Sequence, residues 1–227
     1  MCGRYTLKTS ALDLQRELSL DETPQLEARY NIAPTQAAPI VTDAAPRHLV
    51  TARWGLLPAW AKDTRIASKL INARAETLLQ KAVFRELLGH HRCLVPCDGF
   101  YEWKRHGTQR TPMYIDRPDH GLLTMAGLWT TWRSPEGMDV VTFTVVTTRA
   151  NDAVRPVHDR MPVFLDAAGR ERWLSGPTKD TAALLELLAP WRGEPLEVYQ
   201  VSPKVNSVTA DDPGCIEPAK TVQLSLL

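Results

Sequence analysis

The sequence predicts a single α+β domain, spanning residues 1–227, built on a curved, mainly antiparallel β-sheet with a barrel-like core and short flanking helices. Three observations carry this expectation. Runs rich in β-branched and aromatic residues outnumber helical runs. The two kinds are interspersed in irregular order, as in α+β architectures. The 17 prolines lie largely between apolar runs and cut the chain into short strands and irregular connections. With 227 residues, 44% of them hydrophobic, the chain is long enough to enclose a sizeable core. It contains no repeat, no low-complexity tract and no clear linker.

Each element follows from local pattern. Ala11–Leu18 has amphipathic spacing, and Ser10 with Asp13 supplies a cap at its start. RYNIAPTQAAPIV, with two prolines, reads as loop and then strand. HLVTARWGLLPAW alternates until Pro58 and reads as a strand ending in a loop, with Trp54 in the core. ETLLQKAVFRELL has helical spacing that stops at Gly89. RCLVPCDGFYEWKR is strand-like, kinked at Pro96 and turned at Asp98-Gly99. TPMYI, GLLTMAGLWTTW and DVVTFTVVTT are strands by composition. AAGRERWL and KDTAALLELL read as short helices, the second ended by Pro190, and LEVYQVS as a last strand.

Lys and Arg number 27 against 26 Asp and Glu, a formal net charge of +1. That balance excludes bulk basicity, so any nucleic-acid surface must come from local clustering of Arg and Lys. No apolar run reaches the ~20 residues of a membrane span, and no basic start precedes an apolar stretch, so a cytoplasmic protein is expected. There Cys2, Cys93, Cys97 and Cys215 read as reduced thiols. The spacing from His90 and His91 through Cys93 to Cys97 is not a zinc pattern. Buried small apolar residues explain these cysteines better, and no metal or other cofactor is expected.

Four places set reactive side chains among turn signals: Cys2, INARAET with Asn72 and Arg74, DGFYEW with Glu102, and PVHDRMP with His158. Together CGRY, RYNIAPTQ, WGLLPAW, INARAET, CDGFYEWK and VHDRMP, in this order from Cys2 to about Ser207, resemble the SRAP family, also called SOS-response-associated peptidases or abasic-site-processing proteins. The resemblance implies a β-rich α+β domain with a positively charged groove leading to the terminal cysteine. It implies binding to single-stranded DNA bearing an abasic site, followed by a covalent crosslink through that cysteine. The matching catalytic positions are Cys2, Asn72, Glu102 and His158. The matching DNA-binding positions are Arg4, Asn31, Pro34, Trp60, Arg74, Arg85, Thr147, Asp159 and Arg160.

The chemistry explains the residue types. Once Met1 is removed, Cys2 carries an amine and a thiol on neighbouring carbons. The amine and an open sugar aldehyde give an imine; the thiol then adds to that imine and closes a thiazolidine, an intramolecular step favoured by proximity. An α-amine with a pKa of roughly 7.7–8.0 is partly neutral at pH 7, unlike a lysine near ~10.4. Glu102 beside the amine can hold the ammonium and take its proton, and by resemblance His158 opens the sugar ring and shuttles protons. Asn72 is a neutral donor and acceptor for Cys2 or the opened sugar, and Asp159 is a candidate orienter of the His158 ring.

Arg4, Arg74 and Arg160 each lie within two residues of a proposed catalytic position, so their convergence would let a near-neutral protein grip phosphates. Lys81 and Arg85 share a face of the predicted helix. Trp60 follows a proline and can stack on a base; Ala61 stands where the family often has a second Trp, and Lys62 and Arg65 are available for phosphates. Thr147 matches a strand end that meets the DNA backbone. Two other readings remain open: a cysteine peptidase, acting generally or only to remove Met1, and a non-catalytic single-strand binder. The expected protein is a monomer, associated with the nucleoid when bound to damaged DNA.

Overall fold

The computed structural model describes residues 2–176, 178 and 180–219. In chain order the elements begin with β1 (Tyr5–Leu7), α1 (Ala11–Leu18), β2 (Arg29–Ile32), β3 (Ala37–Thr42), β4 (Ala45–Trp54), β5 (Asn72–Arg74) and α2 (Ala82–Leu88). They continue with β6 (Arg92–Cys97), β7 (Gly99–His106), β8 (Gln109–Asp116), β9 (Leu123–Arg133), β10 (Asp139–Arg149), β11 (Arg160–Pro162), α3 (Ala167–Leu174), α4 (Thr181–Glu186) and β12 (Glu197–Gln200). The expected α+β class is the observed one.

Five strands close on themselves. β4 pairs antiparallel with β3, β3 with β6, β6 with β9 and β9 with β10, and β10 returns to β4 through a parallel pair at Thr142↔Arg53 and Phe143↔Trp54. Closure removes the free edges that an open sheet carries. Inside, Trp54 is fully buried, stacks on Phe143 with ring centroids 6.3 Å apart, meets the edge of Tyr5 at 5.1 Å and donates its indole N–H to the Ile71 carbonyl at 2.9 Å. Tyr5 belongs to the second sheet, ordered β12-β8-β7-β1-β2, so this contact ties the two sheets together.

A single residue, Asp98, separates β6 of the barrel from β7 of the open sheet. Asp98 is buried, and its carboxylate receives the backbone N–H groups of Lys8 and Thr9 and the Thr9 hydroxyl. Burial nonetheless raises its pKa above the usual carboxylate value. The contact pins the chain just after β1 to the corner between the sheets. At Gly99 a Cβ would lie 2.5 Å from the Tyr114 hydroxyl oxygen and 2.7 Å from the Ile115 carbonyl oxygen, so only glycine allows β7 to pass this close to β8.

The cap read from sequence is formed, with Ser10 accepting from the Asp13 N–H at 3.2 Å; a further cap, not read from sequence, starts α3, where Asp166 accepts from the Gly169 N–H at 2.7 Å. Two expectations fail. Arg29–Ile32, read as loop, is strand β2, paired with β1. The helix expected from Glu76 starts only at Ala82; Ala75–Thr77 is a 3-10 turn, and Lys81 has extended backbone angles at the start of α2. Another residue departs from its type. Arg92, in the expected strand RCLVPC, is fully buried and donates to the carbonyls of Trp173 (2.6 Å), Leu88 (2.9 Å), Gly176 (2.8 Å) and Ser175. It holds α3 and the end of α2 against the barrel. Cys93 and Cys97 are buried thiols, as their strand position suggested.

Candidate active site

The C-terminal half of β10 gathers two motifs. On one edge it pairs in parallel with β5, Val145↔Asn72 and Thr147↔Arg74; on the other it pairs antiparallel with β11, Thr147↔Pro162 and Arg149↔Arg160. INARAET and HDRMP, far apart in sequence, therefore flank the same stretch of strand. The third motif arrives from the open sheet. β1 runs antiparallel to β7 with Tyr5↔Phe100, and the Tyr101 N–H donates to the Arg4 carbonyl at 3.0 Å, so the ladder continues toward Cys2 alongside the strand that carries Glu102.

Asn72 joins the two halves. Its Nδ2 donates to the Cys2 carbonyl at 2.7 Å, while its Oδ1 is buried without a hydrogen-bond partner among the described residues. A buried amide oxygen in that state is ready to accept a donor from a bound molecule. Cys2 is fully buried, with Sγ 3.9 Å from the Arg4 carbonyl. Burial pushes its thiol pKa well up, and the negative charge of buried Glu102 pushes it the same way. Burial thus disfavours the thiolate at Cys2, while the positive charge of the N-terminus and the Arg4 carbonyl contact act the other way.

His158 lies two residues before β11, in the loop closed by the bonds from the Val157 and His158 N–H groups to the Val154 carbonyl. Its Nδ1 is 3.0 Å from the Arg160 backbone N–H and 2.9 Å from an oxygen of exposed Asp159. The contacts are alternatives. Nδ1 accepts from the amide when it carries no proton and donates to the carboxylate when it does. Asp159 therefore stands where an orienter of the ring is expected, despite being its chain neighbour.

The basic positions divide. Arg74 and Arg85 are exposed, as is Trp60 at 66%. Arg160 is 12% exposed in its side chain and forks onto Glu76, with bonds of 2.7 and 2.9 Å, while also donating to the Thr147 carbonyl at 2.7 Å. The same bonds hold the Glu76 carboxyl below its usual pKa. Arg4 donates to Asn31 Oδ1 and the Val205 carbonyl, both at 2.7 Å, and to Asn206 at 3.3 Å. Asn31 is fully buried, and its Nδ2 donates to the carbonyls of Val205, Ser207 and Ala210. Arg4 and Asn31 were expected at a DNA surface; here both clasp the 203–210 segment, Asn31 from a buried position, while Arg4 also lines the cavity beside Gly3. Thr147 is also fully buried. Its expected backbone contact gives way to a seat between β5 and β11.

Two residues with a place in this arrangement are not singled out by sequence. Trp103 packs under the Arg4 guanidinium, 5.9 Å from the ring centroid, and its indole N–H donates to Asn206 at 2.8 Å. With Gly3, Arg4, Pro34, Arg110 and Asn206 it lines a cavity of about 510 Å³ directly beside Cys2 in the chain. The alternation in FYEW, which places Trp103 on the opposite face from Glu102, was the available signal. Glu76 was missed because its partner lies 84 residues away. Among the described residues no group of three or more His, Cys, Asp or Glu side chains is placed to hold a metal ion, and no helix is long and apolar enough to cross a membrane.

A model of the SOS response associated peptidase (SRAP) family matches residues 1–208. The chain belongs to the SRAP family. Its curated SRAP relatives include the abasic site processing protein YoqW of Bacillus subtilis (strain 168), 41% identical over 222 residues that cover 96% of this chain and 99% of YoqW. They also include the abasic site processing protein HMCES of Gallus gallus, 30% identical over 263 residues that cover 96% of this chain and 78% of HMCES. A crystal structure of a Bacteroides thetaiotaomicron protein superposes with a TM-score of 0.84 at 27% identity, over 96% of this chain and all of the other. The SRAP fold is thereby the fold described above.

Proposed function

We propose that this SRAP protein processes abasic sites by crosslinking itself to single-stranded DNA, forming a thiazolidine between Cys2 and the open sugar aldehyde after Met1 has been removed. The names of the SRAP relatives support the lesion. The observation that carries the chemistry is the setting of Cys2: its carbonyl is held by Asn72, and burial and Glu102 disfavour its thiolate. A peptidase needs a thiolate to attack a carbonyl, and this setting opposes one. An aminothiol needs only its amine to attack first.

The steps balance. The neutral amine adds to the aldehyde carbon and the carbinolamine loses one water, giving the imine. The thiol sulfur then bonds to the imine carbon while its proton passes to the imine nitrogen, closing the five-membered ring. Asn72 fixes the terminal residue so that both attacks start from one geometry. Glu102 takes the proton that the ammonium must lose. His158, whose Nδ1 alternates between the Arg160 amide and Asp159, gives and takes the proton at the sugar ring oxygen. Arg74 and Arg160 receive the phosphates around the lesion, and Trp60 and Trp103 offer faces to its neighbouring bases.

The test is a protein lacking Met1, incubated with an oligonucleotide carrying one abasic site. The expected product is stable without borohydride, has the summed mass less one water, and carries the DNA on the N-terminal peptide. Cys2→Ala or one residue added ahead of Cys2 abolishes that product. Attachment at another residue, or an adduct that survives only after borohydride reduction, defeats the proposal.

A further inference from the structure

We propose that the β7–β8 hairpin is a backbone-gripping finger for the DNA that flanks the abasic nucleotide, with Arg105 and Arg110 as its phosphate contacts. The proposal rests on the reading of Cys2 as the crosslinking residue and extends it away from the lesion. Gly107, at φ +59°, opens a two-residue turn of the kind that keeps two strands twisted together to the tip. The pairing runs without a register shift from Gly99↔Asp116 to His106↔Gln109. Residues 105–110 are all exposed. The outer part from Lys104 to Thr111 contains Lys104, Arg105, His106 and Arg110, and no acidic residue.

The register decides the argument. Trp103↔Pro112 and Arg105↔Arg110 are directly opposed pairs two residues apart, so they share one face of the hairpin. Two arginines placed opposite each other repel, a pairing that ordinarily destabilises a ladder. Among the described residues neither has a carboxylate partner, whereas Arg16, Arg29, Arg47, Arg65, Arg117 and Arg133 each sit beside an aspartate. A bound anion is what would turn this repulsion into an attraction. The face also has a direction. It starts at Trp103 under Arg4, in the cavity that Gly3 lines next to Cys2, and Arg110 lines the same cavity from its outer side. At ~3.3 Å per residue Arg105, with Arg110 directly across from it, lies about 7 Å beyond Trp103 on this face. A polyanion leaving the lesion along this face meets Trp103 and then the opposed pair Arg105 and Arg110.

The experiment compares wild type with the Arg105→Gln/Arg110→Gln double variant, binding abasic single strands with long flanks on both sides or with one flank cut to a single nucleotide. For long-flanked DNA the variant should bind about tenfold more weakly, and the slope of log affinity against log salt should fall by about 1.4, two contacts at ~0.7 each. Cutting one particular flank should erase the difference between the two proteins; cutting the other should preserve it. An undamaged strand of the same length should show the same loss of slope, because phosphates carry no mark of the lesion. Arg105→Lys/Arg110→Lys, which keeps both charges, should keep the wild-type slope, and equal thermal midpoints show that the fold is intact. An unchanged slope, or a loss independent of both flanks, overturns the finger; tight binding of an acidic polypeptide in place of the strand does so as well. Failure of wild type itself to crosslink would instead strike the Cys2 reading, so the two failures are told apart.

Discussion

The closed barrel and the open sheet of this protein solve different problems. In the barrel β10 is bonded along both edges, the centre is filled by Trp54 and Phe143, and even the buried charge of Arg92 is met by carbonyls. In the open sheet the shortest strand, β1, lies in the middle between β2 and β7, and the neighbouring hairpin ends in an exposed, like-charged tip. The reactive end of the chain is therefore held by a short interior strand and two pinning contacts, Asp98 and Asn72, instead of by a large core of its own. The barrel provides rigidity, and the seam where the open sheet meets it provides the chemistry. Substitutions should separate the two.

The largest effect is expected in the barrel. Trp54→Ala removes the stacked and edge contacts and the indole bond to the Ile71 carbonyl, which keeps the Val145 N–H, at a cost of about 3–5 kcal/mol, seen as a thermal midpoint lower by roughly 2–4 °C per kcal/mol. Trp103→Ala, on a half-exposed face of the open sheet, should stay within about 1 kcal/mol of wild type in stability while weakening DNA binding. Equal melting losses for the two tryptophans would break the division of labour.

That division also tracks what the sequence reveals. Ala11–Leu18 and Ala167–Leu174 could be read to the residue because their signals are local: a cap at Ser10 bonding three residues on, and in the second case the helical pattern itself. The stretch from Glu76 to Lys81 has equally helical spacing, yet the 3-10 turn of Ala75–Thr77 ends within it, Lys81 is extended, and Glu76 is engaged by Arg160 from across the molecule. The barrel-like core was expected, but the pair that closes it was not legible, since a two-residue parallel pairing between β4 and β10 leaves no periodic trace. Within the site, residue types and motifs indicated Cys2, Asn72, Glu102 and His158. They could not indicate which arginines are occupied. Arg4 and Arg160 look like Arg74 in a sequence, and only the folded chain shows the first two bonded to Val205, Asn31 and Glu76.

At the seam, Asn72→Ala should leave the barrel's melting behaviour nearly unchanged. It releases the Cys2 carbonyl, and crosslinking measured at saturating DNA should slow by about 10- to 100-fold, the penalty for loosening a reacting group by an ångström. A variant that binds DNA more weakly but reacts at the wild-type rate when saturated would move Asn72 from orienting Cys2 to holding the strand.

The smallest effect concerns Glu76. Its carboxylate occupies both terminal nitrogens of Arg160, so an incoming phosphate must share or displace it. Glu76→Gln keeps the shape of the contact and removes its charge. DNA affinity should then rise by about two- to fivefold, in keeping with the ~0.2–1 kcal/mol of a partly exposed ion pair. The pH dependence gives an independent reading. Because Arg160 lowers the Glu76 pKa, the pair stabilises the fold above the ordinary carboxylate value of ~4.3, and that stabilisation is lost as pH falls through the lowered value. Wild type should thus lose slightly more stability than Glu76→Gln between neutral and acidic pH, in parallel melts. A fall in DNA affinity on Glu76→Gln would mean that the carboxylate serves to aim Arg160 at the phosphate, since a competitor's removal could only free the guanidinium to bind it.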